Sequence, residues 1–223
     1  MLTEYRALVA KVAVFTEATA ARRAADLRCS EGCASCCQVW LTVSAVEAAQ
    51  LREALRALPP EERAQLRARG ARELEREAAP PRPAQLPPSS ALALAPRCAM
   101  LDDHERCSVY AARPLVCRTQ GHALRYPAGF IPSAAITRKS ANGEETWCPL
   151  NYHAAKPEPA DVLDAERVDQ ILAVVSARYL LAARTSAPTP EGVLGHGAAG
   201  SVQPGADPDC RFGLSELAAE EDV

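Results

Sequence analysis

The chain has 223 residues, of which 48% are apolar and 24% charged, and its formal net charge is −3. This length and composition suit one soluble globular domain with appendages, and so small a net charge excludes a whole-chain electrostatic attraction to nucleic acid or acidic lipid. Aromatic residues make up only 4% of the chain, which leaves few surfaces on which bases could stack.

Residues 3–27 are predicted to form an amphipathic helix, because apolar side chains recur on one side: Tyr5, Leu8, Val9, Val12 and Phe15. Charged residues interrupt this segment, so it lacks the features of a secretory signal. No apolar run approaches the roughly 18 residues that a membrane span needs. We therefore expect a cytoplasmic protein whose nine cysteines are thiols or metal ligands rather than disulfides.

Four cysteines follow within nine residues, in the sequence CSEGCASCC that begins at Cys29. Its C-x3-C-x2-C spacing matches radical enzymes that use S-adenosylmethionine, but those enzymes place the triad after a strand in a strand–helix barrel, and here a helix precedes it. The basic recognition helix of a DNA-binding zinc finger is missing, and no strand pattern surrounds a thioredoxin-like pair. A metal centre is favoured, since thiolates select zinc, copper(I) or iron–sulfur units.

Residues 44–78 are predicted to form a helical hairpin. The sequence SAVE is a capping box, in which Ser44 is the N-cap and Glu47 reaches back to its amide. Pro59 and Pro60 end the first helix and start the second. A proline-rich connector, residues 79–90, is expected to be extended.

A second thiol-rich segment occupies residues 97–118, and the pair Asn142–Gly143 beyond it predicts a tight hairpin turn. A last helix is predicted at about 161–184. From residue 186 to 223 the chain is rich in Gly, Pro and Ala and is expected to be a disordered tail, in which Cys210 is an incidental thiol. We predict a mainly α fold with at most a short β-hairpin, in a single helical domain at residues 1–185.

Eight cysteines remain as candidate metal ligands: Cys29, Cys33, Cys36, Cys37, Cys98, Cys107, Cys117 and Cys148. Four thiolates complete a tetrahedral zinc site or hold a cubane cluster. Eight could therefore serve two centres, or one centre with bystanders. The side chains of the adjacent Cys36 and Cys37 project in different directions in extended backbone, which is compatible with their serving different centres or with one of them facing solvent as a reactive or labile ligand.

The ordered motifs resemble a bacterial cysteine-cluster family of the CxxCxxCC type, whose members are described as zinc- or iron-chelating proteins. The sequences that carry the resemblance are CSEGCASCC, RCAML, RCSVYAARPLVCR and TWCPL, within residues 29–150. The resemblance implies metal binding by the eight cysteines without a settled activity. A similar module occurs in enzymes that methylate lysines of flagellin, where it resembles an iron–sulfur site. In this chain the hairpin and connector separate Cys98 from the first four cysteines, so the sequence leaves open how the two halves meet.

Several residues beside the cysteines are expected to support the centre. Arginines could offset the negative charge of thiolates and donate hydrogen bonds to sulfur, and we assign Arg113 and above all Arg118 to cofactor binding. Tyr110 is expected to pack over the site, and Pro114 to turn the chain so that Cys107 and Cys117 face one centre. The nearby histidines are expected to be exposed: His104, His122 and His153.

We expect one or two iron–sulfur clusters, most simply 4Fe-4S, because eight sulfurs exceed what one zinc ion requires. Their task would be electron transfer, redox sensing or support of a partner enzyme. One alternative is an enzyme that modifies a protein or peptide substrate, such as a lysine methyltransferase, with the cluster as a structural or redox element. The other is a structural zinc module. The sequence does not decide whether the protein is an enzyme.

Overall fold

The computed structural model describes residues 2–38, 41–78, 97–128, 136–140, 143–186 and 211–220. These residues contain six α-helices: α1 (Thr3–Arg22), α2 (Ala45–Arg56), α3 (Pro60–Ala78), α4 (Leu115–Thr119), α5 (Ala165–Ser186) and α6 (Leu214–Ala219). They also contain six short strands: β1 (Thr42–Ser44), β2 (Ala123–Tyr126), β3 (Ile136–Ser140), β4 (Gly143–Trp147), β5 (Val162–Asp164) and β6 (Arg211–Gly213). The fold is mainly α, as predicted.

The two longest helices, α1 and α5, pack together through their apolar faces. Tyr5, Leu8 and Val12 of α1 form one buried cluster with Leu172 and Val175 of α5. The predicted first helix ends five residues earlier than expected, at Arg22. Among the described residues, no helix is both long and apolar enough to cross a membrane.

The predicted helical hairpin is present as α2 and α3. The capping box begins α2, since the N–H of Ser44 donates to the carboxylate of Glu47 at 3.0 Å. Leu51 and Leu55 of α2 and Leu66 of α3 are almost completely buried in a second core cluster, against which Cys98 and Cys107 pack. The proline-rich connector at 79–90 lies outside the described residues.

Residues 211–220 correct the prediction of a disordered tail at 186–223. Strand β6 pairs with β1, and α6 packs on α3. Helix α6 turns Leu214, Leu217 and Ala218 into the core, and a Cβ on Gly70 of α3 would lie only 2.7 Å from the backbone of α6. The prediction is wrong here because burial of this small apolar face offsets the cost of ordering so short a helix.

Four of the strands form a sheet with the order β3-β4-β2-β5. The predicted hairpin is its outer part, with Ser140 opposite Gly143 in the β3–β4 register, while Asn142 itself lies outside the described residues. The sheet is larger than the hairpin predicted, because β2 pairs antiparallel with β4 and parallel with β5. Trp147 and Tyr152 pack edge-to-face beside it.

Candidate metal centre

The first four cysteines lie in an irregular segment between α1 and β1. Gly32 has a φ of +91°, which is easy for glycine and strained for other residues. The N–H of Cys33 donates to the carbonyl oxygen three residues earlier at 3.1 Å, and residues 35–37 form one turn of 3-10 helix. Successive side chains of such a turn point about 120° apart, so Cys36 and Cys37 face different directions.

The second cysteine segment is joined to the first by a backbone hydrogen bond. The N–H of Cys98 donates to the carbonyl oxygen of Cys37 at 2.8 Å, so the part of the chain that includes α2 and α3 leaves and returns at one place. Leu101 and Cys107 then form an isolated antiparallel bridge. Arg69 of α3 holds this loop, because its Nε donates to a loop carbonyl at 3.1 Å.

Cys117 lies on α4, which is positioned by a buried carboxylate. Glu47 is 3% exposed, and its Oε1 accepts the N–H of Leu115, the first residue of α4, at 3.0 Å. Its other oxygen completes the capping box with Ser44. Pro114 is the extended N-cap residue of α4. One side chain therefore caps two helices and fixes α4 relative to α2.

Six of the eight predicted ligands border one cavity of about 100 Å³. They are Cys33, Cys36, Cys37, Cys98, Cys107 and Cys117. Much of the remaining wall is apolar and includes Leu51, Met100, Val109 and Leu214. The space has room for several water-sized groups, and its soft donors fit zinc or an iron–sulfur unit. Cys107 and Cys117 both border this space.

The cavity thiols are partly buried. Burial raises the pKa of Cys98 to about 11 and raises the pKa of Cys107 and Cys117 as well. Negative charge on neighbouring sulfurs contributes to the increase for Cys98 and Cys117, whereas the positive charge of Arg113 offsets part of the increase in the pKa of Cys107 and Cys117. A bound metal ion would displace the protons of such thiols, since only the thiolate is a ligand.

The adjacent Cys36 and Cys37 form a hydrogen-bonded pair. The hydrogen bond from Cys37 lowers the pKa of Cys36, and the same bond raises the pKa of Cys37. The charge of Arg113 also favours the thiolate of Cys36. Within the pair, Cys36 is therefore the sulfur that carries negative charge more easily.

Arg113 and Tyr110 border the cavity, and their roles in cofactor binding stay predictions. The guanidinium carbon of Arg113 lies 3.5 Å from the centroid of the Tyr110 ring, and Nε donates to the Tyr110 carbonyl at 3.1 Å. Arg118 differs from the prediction, because its hydrogen bonds go to backbone carbonyls rather than to sulfur. Its Nε donates to the carbonyl of Arg113 at 2.7 Å, and a terminal nitrogen donates to that of Ala111. Arg118 thus shapes the turn that presents Arg113.

Cys29 and Cys148 lie beside each other, on either side of Gly121. A Cβ on Gly121 would lie 2.3 Å from Sγ of Cys29 and 3.9 Å from Cβ of Cys148. Sγ of Cys29 accepts a hydrogen bond from Nδ2 of Asn151 at 3.2 Å, and Sγ of Cys148 accepts one from the N–H of Leu150 at 3.4 Å. Hydrogen bonds of this kind to ligand sulfurs tune metal–thiolate centres.

The eight cysteines are free thiols. Within the described ranges, no three His, Cys, Asp or Glu side chains are arranged so that they hold a metal ion as they stand, and the ligand roles stay predictions. Cys210 lies outside the described residues. His104 and His153 are exposed, as predicted. His122 is not: it is 8% exposed, and its Nδ1 has no hydrogen-bond partner in the described part of the chain.

Sequence reasoning missed several residues that shape the site. Asn151 and Gly121 were not singled out, although each stands three or four residues after a predicted ligand in the sequence. The bond from Leu115 to Glu47 and the place of Leu214 in the cavity wall depend on contacts between distant segments. A single sequence carries no local signal for such contacts.

A comparison with protein-family models matched residues 28–149, more than half of the chain, to the CxxCxxCC model, described as a putative zinc- or iron-chelating domain. The match begins one residue before Cys29 and ends one residue after Cys148, so it covers all eight predicted ligands. Comparisons with curated proteins and with solved structures found no match.

Proposed function

The chain belongs to the CxxCxxCC family of zinc- or iron-chelating domains, and from this premise we propose that its cysteine module holds iron–sulfur clusters. Their task is to transfer electrons, to sense redox conditions or to support a partner enzyme. The observation that carries the proposal is the cavity bordered by six thiols, with two more thiols adjacent to it. One zinc ion takes four ligands, so a single structural zinc would leave half of these sulfurs unused.

The surroundings of the thiols favour a cluster with negative charge. Arg113 borders the cavity, and its positive charge favours the thiolate form of Cys36, Cys107 and Cys117, although burial raises the pKa of the last two overall. Peptide and amide N–H groups donate to the sulfurs of Cys29 and Cys148. Charge compensation and N–H···S hydrogen bonds are the means by which a protein sets the reduction potential of a cluster. When bound, the cluster would supply one-electron chemistry, and these residues would hold and tune it.

Anaerobic purification of the full chain, followed by iron, zinc and acid-labile sulfide analysis, tests the proposal. We expect iron and sulfide in equal amounts, together with the brown colour of a cluster. A Cys117→Ser variant is expected to lose metal, whereas Cys210→Ser serves as the matched control and is expected to keep it. A colourless protein with zinc and without sulfide would replace the proposal with the structural zinc module.

The interpretation of the chain as a protein-modifying enzyme stays a prediction, and a separate binding measurement tests it. A lysine methyltransferase must bind S-adenosylmethionine. Calorimetric titration of the metal-loaded protein with this cofactor therefore separates the enzyme from a pure binding module. Saturable binding at micromolar concentration would support the enzyme, and no heat of binding would remove it.

A further inference from the structure

We infer that the eight thiols belong to two separate centres, an inference that rests on the proposed function. The inner centre consists of Cys37, Cys98, Cys107 and Cys117. The outer centre consists of Cys29, Cys33, Cys36 and Cys148. Asn151 is the positioning residue of the outer centre.

The inner group surrounds the apolar cavity. Cys37, Cys98 and Cys107 border this cavity but not the neighbouring one. Cys37 and Cys98 are held together by their 2.8 Å backbone hydrogen bond. Cys117 reaches the same cavity from α4, which Glu47 holds in place. Three separate segments thus bring four sulfurs to a space that is walled by leucine, methionine and valine.

The outer group lies at a more polar cavity of about 190 Å³. Cys29, Cys33 and Cys36 border it, together with Cys117 of the inner group and with Glu17 and His122. Cys148 is absent from the lining of both cavities but lies next to Cys29 across Gly121. A centre here would share Tyr110 and Arg113 with the inner group but would also face Glu17 and His122, and it would be closer to water, since Cys29 is exposed.

The adjacent pair of cysteines marks the boundary between the two groups. Cys37 borders only the inner of the two cavities, whereas Cys36, like Cys33 and Cys117, borders both. The Cα–Cβ bonds of Cys36 and Cys37 leave the 3-10 turn about 120° apart, although the two thiols still interact with each other. The division between them gives each centre the four thiolates of a complete site.

Asn151 fixes the sulfur of Cys29 with a fully used amide group. Asn151 is only 1% exposed. Oδ1 accepts the N–H of Arg28 at 2.8 Å, and Nδ2 donates both to the carbonyl of Gly121 at 2.7 Å and to Sγ of Cys29 at 3.2 Å. Gly121 has a φ of +95° and leaves the space that this sulfur occupies. The position of the Cys29 sulfur therefore depends both on the amide of Asn151 and on the absence of a Cβ at Gly121.

Metal stoichiometry of the full chain tests the division. The protein is loaded anaerobically, in one series with zinc(II) and in another with iron and sulfide, and metal per chain is measured for Cys29→Ser, Cys98→Ser and the double variant. We expect each single variant to retain about half of the metal of the unaltered protein and the double variant to retain almost none. If either single variant loses all of its metal while it remains folded by circular dichroism, or if the unaltered protein binds one zinc ion, the division is wrong.

The two series separate this inference from the proposed function. A protein that takes up zinc but no iron and sulfide refutes the iron–sulfur proposal, and the zinc series still counts the centres. Should Cys98→Ser fail to fold, Cys107→Ser and the zinc titration of the unaltered protein give the same count. Two zinc ions per chain support the division, and one overturns it.

The role of Asn151 is tested with Asn151→Asp, which keeps an acceptor for the N–H of Arg28 and removes the donor to Cys29. Changes in such supporting groups typically reduce metal affinity about 10–100-fold, and we expect this loss for the outer metal alone. The control is Asp26→Ala, which removes the 3.1 Å hydrogen bond that the N–H of Ala154 donates to Oδ1 of Asp26 and so loosens the same two segments without touching sulfur. Equal weakening of both metals, or an effect matched by the control, would show a merely structural role.

Discussion

Replacing Glu47 by glutamine changes one atom type at a position that caps two helices. The carboxylate accepts the N–H of Ser44 and the N–H of Leu115, each at 3.0 Å, and also faces Oγ of Ser44 at 2.9 Å. Glutamine has one acceptor oxygen, so one buried N–H would face the amide NH2 and lose its partner.

The size of the effect follows from two opposing contributions. A buried N–H left without a partner costs about 1–3 kcal/mol, and loss of the charge weakens the remaining hydrogen bond. A neutral amide is less costly to bury than a carboxylate, which offsets part of the loss. We therefore expect the free energy of unfolding to fall by about 1–3 kcal/mol, with a decrease in Tm of roughly 2–4 °C for each kcal/mol in a chain of this size.

Urea unfolding of the metal-free protein, followed by circular dichroism, measures this change. Glu53→Gln is the matched control, because Glu53 is on the same helix, is exposed and pairs with Arg6 at the surface. We expect the control to change stability by less than about 1 kcal/mol. Since Leu115 begins the helix that carries Cys117, Glu47→Gln should also weaken metal binding. Equal stability of the two variants would refute the assignment of Glu47 as a double cap.

Three further predictions follow from other sites. Gly121→Ala should reduce metal content at Cys29 and lower Tm. Gly32→Ala is the control, because a Cβ there meets nothing within 4 Å, and it should cost only the strain of its positive φ. Metal analysis and thermal unfolding of both variants test this contrast, which fails if the two behave alike. Burial acts to raise the pKa of Asp161, but hydrogen bonds from backbone and arginine outweigh it and lower the pKa. The stabilisation by Asp161 is therefore present above the unfolded pKa of about 4 and is lost as pH falls through the folded value. Asp161→Asn should flatten the acid limb of a stability–pH curve, and an unchanged limb would contradict this. Arg113→Gln should weaken metal binding in a competition titration with a chelator, while Arg106→Gln, at an exposed pair with Asp102, should not.

The parts of the fold with local signals could be predicted from the sequence. The capping box at Ser44, the proline break before α3 and the turn before Gly143 depend on neighbouring residues, and the structure has an element at each place. The parallel pairing of β2 with β5 joins segments more than 30 residues apart. Residues 211–220 fold against the surface that α3 offers at Gly70 and against strand β1. Neither contact leaves a periodic pattern in the sequence.

In the candidate site, too, the features with local sequence signals could be predicted and the long-range contacts could not. The cysteine spacing singled out the thiols, and the Arg113–Pro114 motif predicted the turn between Cys107 and Cys117. In the structure both of these cysteines border the thiol cavity. Adjacency to a cysteine suggested that Arg118 contacts sulfur, but its guanidinium is used by nearby carbonyls. The contact of Asn151 with Cys29 spans more than 100 residues, and only the folded chain reveals it.

Leu214 has a practical implication for work on fragments. The span that matches the family, residues 28–149, contains every predicted ligand but not this side chain, which forms part of the wall of the thiol cavity. A recombinant piece cut to that span would open the cavity on one side to dissolved oxygen and to competing thiols. Minimal versions of this domain should therefore be built with residues 211–220 reattached, even though no ligand lies among them.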